Sequence, residues 1–201
     1  MVDMKTDNQL CLQGQFLVAM PLMGDPRFHE SVIYVVEHNA NGAMAIIINH
    51  PVKELRFIDV LSDLGLGEPE QLIRISDDIA GREVLRGGPV ETARGFVLHS
   101  PDFYREETSF VINSDICLSA SIDVLKAMAF NSQAKNKALF ALGYCGWSAG
   151  QLEAELAQNA WLTVPHSIEL IFEVPVQERY EAALELLGIN RASLSAFSGR
   201  A

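Results

Sequence analysis

Nineteen residues near the amino terminus do most to fix the architecture. Ser31 to His38 (SVIYVVEH) is β-branched and apolar, the composition of a central strand. Asn39-Ala40-Asn41-Gly42 follows as a four-residue turn, with residue types suited to positive φ. Ala43 to Asn49 (AMAIIIN) returns as the second arm of a hairpin, and Pro51 is expected to end it because proline cannot donate to a ladder. A chain with this hairpin near its start must build an antiparallel sheet around it.

The remaining segments extend that frame. Phe16 to Pro21 reads as a buried strand, and Leu22 to Glu30, with Gly24, Asp25 and Pro26, as a loop. Phe57 to Leu64 places Ile58, Leu61 and Leu64 at helical spacing before Gly65 and Gly67 stop it. Gly67 to Gly81 is an acidic connection. Glu83–Arg86, Gly95–His99, Ser109–Asn113 and Ile116–Ala120 are short and strand-like. Ser121 fits the N-cap of a helix that puts Ile122, Leu125 and Ala129 on one face. Ala138 to Tyr144 reads as a strand, and a helix is expected from about Ser148. Ser167 to Val174 (SIELIFEV) reads as another strand, and Val176 to Leu187 as an amphipathic helix. Antiparallel strands first, then helices alternating with strands, make an α+β fold rather than a regular βαβ wheel.

With 201 residues and neither an internal repeat nor a low-complexity linker, one domain spanning 1–201 is the simpler organisation. Residues 1–10 and the tail after 190 are expected to be loosely held. The formal net charge is -11, from 26 acidic and 15 basic residues. That disfavours a nucleic-acid backbone as the default partner, since phosphate binding needs a cationic face. Cys11, Cys117 and Cys145 are odd in number and far apart, so free thiols in a reducing cytoplasm are expected. The first residues hold no apolar core long enough for a signal peptide, so none is expected, and the longest apolar run, Ala43 to Ile48, is too short to cross a bilayer. No membrane association is expected.

Gly146, Ser148 and Gly150 spell G-x-S-x-G between an apparent strand and an apparent helix, the context of a hydrolase nucleophile elbow. An elbow serine needs a histidine base and an acid to orient it. Downstream of Ser148 the chain offers one histidine, His166, and no aspartate. The competing reading is a helix N-cap, with Ser148 and Gln151 as a capping box and Glu153 and Glu155 in the first turns. The capping reading is favoured.

Three blocks carry a family resemblance: FLVAMPLMGDPRFHESVIYVVEHNANGAMAIIINHP (Phe16 to Pro51), RGGPVETARGFVLH (Arg86 to His99) and GYCGWSAGQLEAELAQNAWL (from Gly143). In that order they resemble the YqgE/AlgH family of bacterial proteins. The resemblance implies a bifurcated, mostly antiparallel sheet curled into a pseudo-barrel with flanking helices. It implies no catalytic residues, and the AlgH name implies a regulatory role in transcription. The third block is similar to the family pattern G-Y-A-x-W-x-x-G-Q-L-E, which does not include Ser148. Cys145 stands where alanine is usual. After Asn49 the family commonly has Arg or Lys, whereas this chain has His50, which would hold an anion only when protonated, below about pH 6.5. No helix-turn-helix, zinc finger or RNP aromatic set is present.

Arg86-Gly87-Gly88-Pro89, with Arg94 nearby, is the best candidate binding surface. Glycines let backbone N–H groups approach a ligand, and two arginines can grip a carboxylate or phosphate. A tight turn with the arginines paired to Glu83 and Glu91 is the alternative. The five histidines are scattered, and His99 and Asp102 are interrupted by Pro101, so neither metal nor cofactor is expected. Trp147 and Trp161 flank one helix as core anchors, with Trp147 able to line a cleft. The leading expectation is a cytoplasmic, non-enzymatic binding or regulatory domain, with a protein or a small anion as partner. Its contact loops are expected to converge, bringing together Asn39, Gly42, Asn49, His50, Arg86, Gly87, Gly88, Arg94, Trp147 and Gln151. The alternatives are a hydrolase-type enzyme, which predicts a pocket with a histidine and a carboxylate in reach, and a nucleic-acid-associated regulator.

Overall fold

The computed structural model describes residues 11–21, 23–130 and 137–191, so the expectations for residues 1–10 and for the tail from 192 on lie outside the described residues. Ten strands build an open, curled, almost wholly antiparallel sheet that forms a half-barrel with helices against it. The strands are β1 (Phe16–Ala19), β2 (Val32–Asn39), β3 (Gly42–Ile47), β4 (Pro51–Arg56), β5 (Glu83–Arg86), β6 (Val90–His99), β7 (Ser109–Val111), β8 (Cys117–Ser119), β9 (Ala138–Ser148) and β10 (Trp161–Val164). The main path runs β10-β1-β2-β3-β9-β6-β8-β7, with β10 and β7 as its open edges.

The expected hairpin is β2–β3. It is tighter than read: Asn39 pairs with Gly42, and the Asn39 Oδ1 accepts the Asn41 N–H at 2.8 Å. A bulge between Val35 and Glu37 re-aims the end of β2. Pro51 does not merely end the second arm. It opens β4, a strand the sequence reading missed, at the first position, where a missing N–H is tolerated.

The sheet divides at β9. On one flank β9 pairs with β6. On the other its first half runs parallel to β5 (Leu85 with Ala141), and its last residues run antiparallel to β3 (Gly42 with Ser148). Gly87 sits where the two partners part: its N–H donates to Leu142 and its carbonyl accepts from Ile47. This is the bifurcation that the family resemblance implied.

Alternation along the strands feeds different cores. In β6, Phe96 and Leu98 face the interior of the half-barrel while Val97 faces outward. The interior is filled by Phe16, Tyr34, Ile46 and Leu118 from the sheet and by Leu170, Tyr180 and Leu184 from two helices, α6 (Ile168–Phe172) and α7 (Arg179–Glu185). One outer face is covered by α1 (Phe57–Asp63), the short helices α2 (Pro69–Leu72) and α3 (Asp77–Ala80), and α4 (Ile122–Phe130). The other is covered by α5 (Gln151–Ala157), whose Leu152 packs on Leu17, Ile33 and Trp161.

Two local readings are corrected. Ser167–Val174 is not a strand: Ser167 accepts the Leu170 N–H at 3.2 Å and caps α6, and the neighbouring Trp161–Val164 pairs with β1 instead. SIELIFEV has strand composition, but its buried residues, Leu170 and Ile171, lie on one helical face against the core. Ser148 is not an N-cap either. It is the last residue of β9, and Gly150, at φ 76°, caps α5.

Candidate functional site

The expected site residues fall into two groups at opposite ends of β3. Gly42 faces Ser148 across the ladder, whereas the Ile47 N–H bonds to the Gly87 carbonyl. Five strand steps at about 3.3 Å separate the two ends by about 17 Å. The loops therefore do not converge on one surface.

The first group holds Asn49, His50, Arg86, Gly87 and Gly88, and it is committed to the fold. The Asn49 Oδ1 accepts the Val32 N–H at 2.8 Å and its Nδ2 donates to the Glu30 carbonyl at 2.7 Å. The His50 Nε2 lies 3.3 Å from the Ser31 hydroxyl, which is fully buried. Burial lowers the His50 pKa, and the nearby Arg86 guanidinium lowers it further, with a hydrogen bond to the His29 backbone opposing. Protonation of His50 therefore sets in below its ordinary range, further still from neutral pH. Arg86 is exposed and makes no ion pair among the described residues; its N–H donates to the His50 carbonyl at 2.7 Å.

The glycines are not a ligand cradle. A Cβ at Gly87 would stand 2.3 Å from the Gly143 carbonyl oxygen, and one at Gly88 would stand 2.1 Å from the Tyr144 carbonyl group. Both serve a close approach of main chain to β9, and the Gly87 N–H is spent on Leu142.

The second group is arranged differently. A cleft of about 460 Å³ opens in the mouth of the half-barrel, with Val36, Met44, Phe96, Phe110, Leu118 and Tyr144 among its walls and with Glu37 and Arg94 beside them. A shallower cleft of about 300 Å³, formed by Asn39, Gly42 and Trp147, shares Glu37 and Met44 with it. The larger cleft forms a groove along the β7 edge, whereas Trp147 and Ala43 pack on the outer face of the sheet that α5 covers. Arg94 lines the larger cleft, and three of the expected residues, Asn39, Gly42 and Trp147, line the shallower one. Gln151 lies next to it, its Oε1 accepting the Ser148 N–H at 3.1 Å.

The walls have defined chemistry. The Phe96 and Tyr144 rings meet edge-on at 5.8 Å, and the Arg94 guanidinium lies 5.2 Å from the Phe96 centroid. Arg94 also pairs with Glu91 at 3.0 Å, the local pairing weighed from sequence. Glu37 accepts from the Asn39 amide at 2.8 Å. Phe110 stays well exposed on the short edge strand β7. Sequence reasoning missed Glu37, Met44, Phe96, Phe110 and Tyr144 as wall residues. Only the strand order brings them together, and the alternation that points them inward is the one signal the sequence holds.

Trp147 is mainly an anchor. Its Nε1 and that of Trp161 both donate to the Glu155 Oε2 at 2.8 Å, with the rings edge-on at 6.1 Å. The serine of the elbow motif is spent as well: the Ser148 hydroxyl donates to the Gln151 Oε1 at 3.2 Å, and its φ is not in the positive range. Histidine–carboxylate pairs do occur elsewhere. His38 Nε2 lies 3.1 Å from Glu153, its Nδ1 accepting the Leu12 N–H, and His166 Nε2 lies 3.7 Å from Asp115. Neither histidine lines the groove. Among the described residues no His, Cys, Asp and Glu group is arranged to hold a metal ion, and no helix is long and apolar enough to cross a membrane.

Comparison with known proteins agrees with this architecture. The sequence profile of a family described as AlgH-like matches residues 16–192. UPF0301 protein blr1492 of Bradyrhizobium diazoefficiens is 46% identical over 190 residues, covering 94% of this chain and 88% of the relative. A UPF0301 protein of Sinorhizobium medicae is 47% identical over 190 residues, with 94% and 93% covered. The solution structure of the AlgH protein from Pseudomonas aeruginosa superposes with a TM-score of 0.74 at 40% identity, covering 98% of both chains. The crystal structure of DIP2367 from Corynebacterium diphtheriae, at 17% identity and a TM-score of 0.67 over 94% of this chain and 92% of that one, shares the fold.

Proposed function

We propose that this chain, which belongs to the AlgH-like family, is a non-enzymatic binding domain that takes a segment of a partner protein across the open mouth of its half-barrel. The observation that carries this reading is the open groove walled by Phe96, Tyr144 and the exposed Phe110 beside the edge strand β7. An open, aromatic-walled trough beside an edge strand suits an extended segment better than an enclosed small molecule. Arg94 gives that segment an acidic contact, and Phe110 gives it an apolar one. A regulatory role in transcription would run through this protein contact, because a chain of net charge -11 is poorly suited to hold phosphates itself. The free thiols of Cys11, Cys117 and Cys145 fit a reducing cytoplasm. A hydrolase reading draws less support, since Ser148 is held by Gln151 and Ser31 is fully buried.

The test is affinity capture from bacterial extract, with and without nuclease, using the full chain and the variants Met44→Lys, Phe110→Ser, Arg94→Ala and Arg86→Ala. The expected result is a discrete protein partner, indifferent to nuclease, lost with the three groove variants and kept by Arg86→Ala. A partner kept by all the groove variants, or lost equally with Arg86→Ala, refutes the groove. Retention that nuclease abolishes supports a nucleic-acid-associated regulator instead.

A further inference from the structure

A second cleft, of about 340 Å³, shares no residue with the groove. It lies where β5 and the start of β9 face the connection between α6 and α7. Its most unusual wall residue is Arg179, which is only 6% exposed. The Arg179 Nε donates to the Val174 carbonyl at 3.0 Å, and its Nη1 donates to the Ile48 carbonyl. No carboxylate lies within ion-pair distance of it among the described residues. Its Nη2 makes no hydrogen bond among the described residues. Burial pulls the Arg179 pKa down to about 10, with the more distant Glu83 opposing. A desolvated guanidinium kept without a counter-ion is costly, and a fold that keeps one beside a cleft gains when an anion enters.

The rest of the wall narrows the class of anion. Arg82, half-buried, adds a second guanidinium, its Nη1 donating to the Ala138 carbonyl at 3.3 Å. Glu83 and Glu173 also face the cleft, so its four charged groups sum to zero. Glu83 is engaged by the Gln177 amide at 2.9 Å and by Arg56 at 3.9 Å, and the Asp78 carboxylate acts on Arg82, which leaves Arg179 as the open partner. Two carboxylates on the wall repel a phosphate dianion but tolerate a monoanion that two guanidinia can share. Leu85, Leu139, Ile171 and Phe172 complete an apolar floor.

We infer that this cleft is a binding site for a carboxylate carrying a short apolar chain, with Arg179 and Arg82 gripping the head and the floor taking the tail. It is independent of the partner groove and stands if that reading fails.

The probes are hexanoate, its neutral analogue hexan-1-ol, and inorganic phosphate. Each is titrated into the full chain by calorimetry, with amide chemical shifts to locate the contact. Hexanoate is expected to bind and to move the amides of Leu139, Val174 and 176–179, while hexan-1-ol and phosphate bind at least about tenfold more weakly. Arg179→Met removes binding, and Arg179→Lys, which keeps the charge but not the fork, retains part of it. Arg82→Gln leaves the Arg179 bonds untouched and is expected to weaken hexanoate about fivefold to tenfold, so the test survives a poorly folded Arg179→Met. Equal affinity for hexan-1-ol, unchanged affinity in both Arg82→Gln and Arg179→Lys, or shifts confined to another surface overturns the assignment.

Discussion

Gly88→Ala offers the sharpest test of how the sheet is held. An added Cβ would stand 2.1 Å from the carbonyl carbon and oxygen of Tyr144 and 2.5 Å from the Cys145 nitrogen. All three are main-chain atoms, so no side chain can swing away, and either the β5–β6 turn or β9 has to move. Moving β9 is expensive because it is hydrogen-bonded to β3 and β5 on one flank and to β6 on the other. Overpacking costs about 1–3 kcal/mol, and each disturbed ladder bond adds about 1 kcal/mol, so we expect a loss of about 3–5 kcal/mol. For a chain of this size that lowers Tm by roughly 6–20 °C. Gly24→Ala is the control: nothing lies within 4 Å of its added Cβ, and its φ is ordinary. That substitution should be neutral or stabilising by up to about 1 kcal/mol, through the unfolded state. Thermal and urea unfolding of both variants measure the difference. A Gly88→Ala protein within about 1 kcal/mol of the parent would refute the close main-chain approach on which the bifurcation rests.

Two further outcomes follow from buried polar groups. Glu155→Ala leaves two buried indole N–H groups without an acceptor and should cost about 2–4 kcal/mol in urea unfolding, with a changed tryptophan emission; a loss below about 0.5 kcal/mol would show that Glu155 does not join the tryptophans. His99 is fully buried, its Nδ1 donating to the Ser100 carbonyl at 2.8 Å and its Nε2 2.8 Å from the Ser119 hydroxyl. Burial lowers its pKa, as it does for His50, and Arg105 lowers it further. A histidine depressed in the folded state contributes stability that is complete above the unfolded value of 6.5 and is lost as pH falls below it. Stability should therefore be flat above about pH 6.5 and fall below it by at most about 1.4 kcal/mol per pH unit for each histidine. His99→Gln should flatten that slope, and an unchanged slope would remove His99 as its source.

Much of the fold was legible because it is locally coded. The β2–β3 hairpin announces itself by β-branched runs around a turn, and Glu83–Arg86 was read with its observed bounds. Phe57–Asp63 and the helix ending at Glu185 follow helical spacing. Where local composition and tertiary packing disagree, the reading failed. SIELIFEV looks like a strand by residue type but is a capped helix, because the half-barrel interior needs a short apolar plug there. WLTV is the strand because β1 offers it an edge.

The candidate site was less legible, for a physical reason. Arg86-Gly87-Gly88 looks like a ligand cradle, and only the structure shows that the glycines admit the main chain of β9. Ser148 looks like a nucleophile until Gln151 is seen to hold it. The groove joins residues of β2, β3, β6, β7, β8 and β9, and no spacing along the chain records which strands become neighbours. Arg179 stands on an amphipathic helix and reads as an ordinary surface cation; its burial follows from where α7 packs. By itself the sequence determined the hairpin, most of the strands and helices, the acidic balance and the family. Strand order, the two clefts and the buried arginine were decided by tertiary structure, because side-chain periodicity encodes which face is apolar but not which neighbour will cover it.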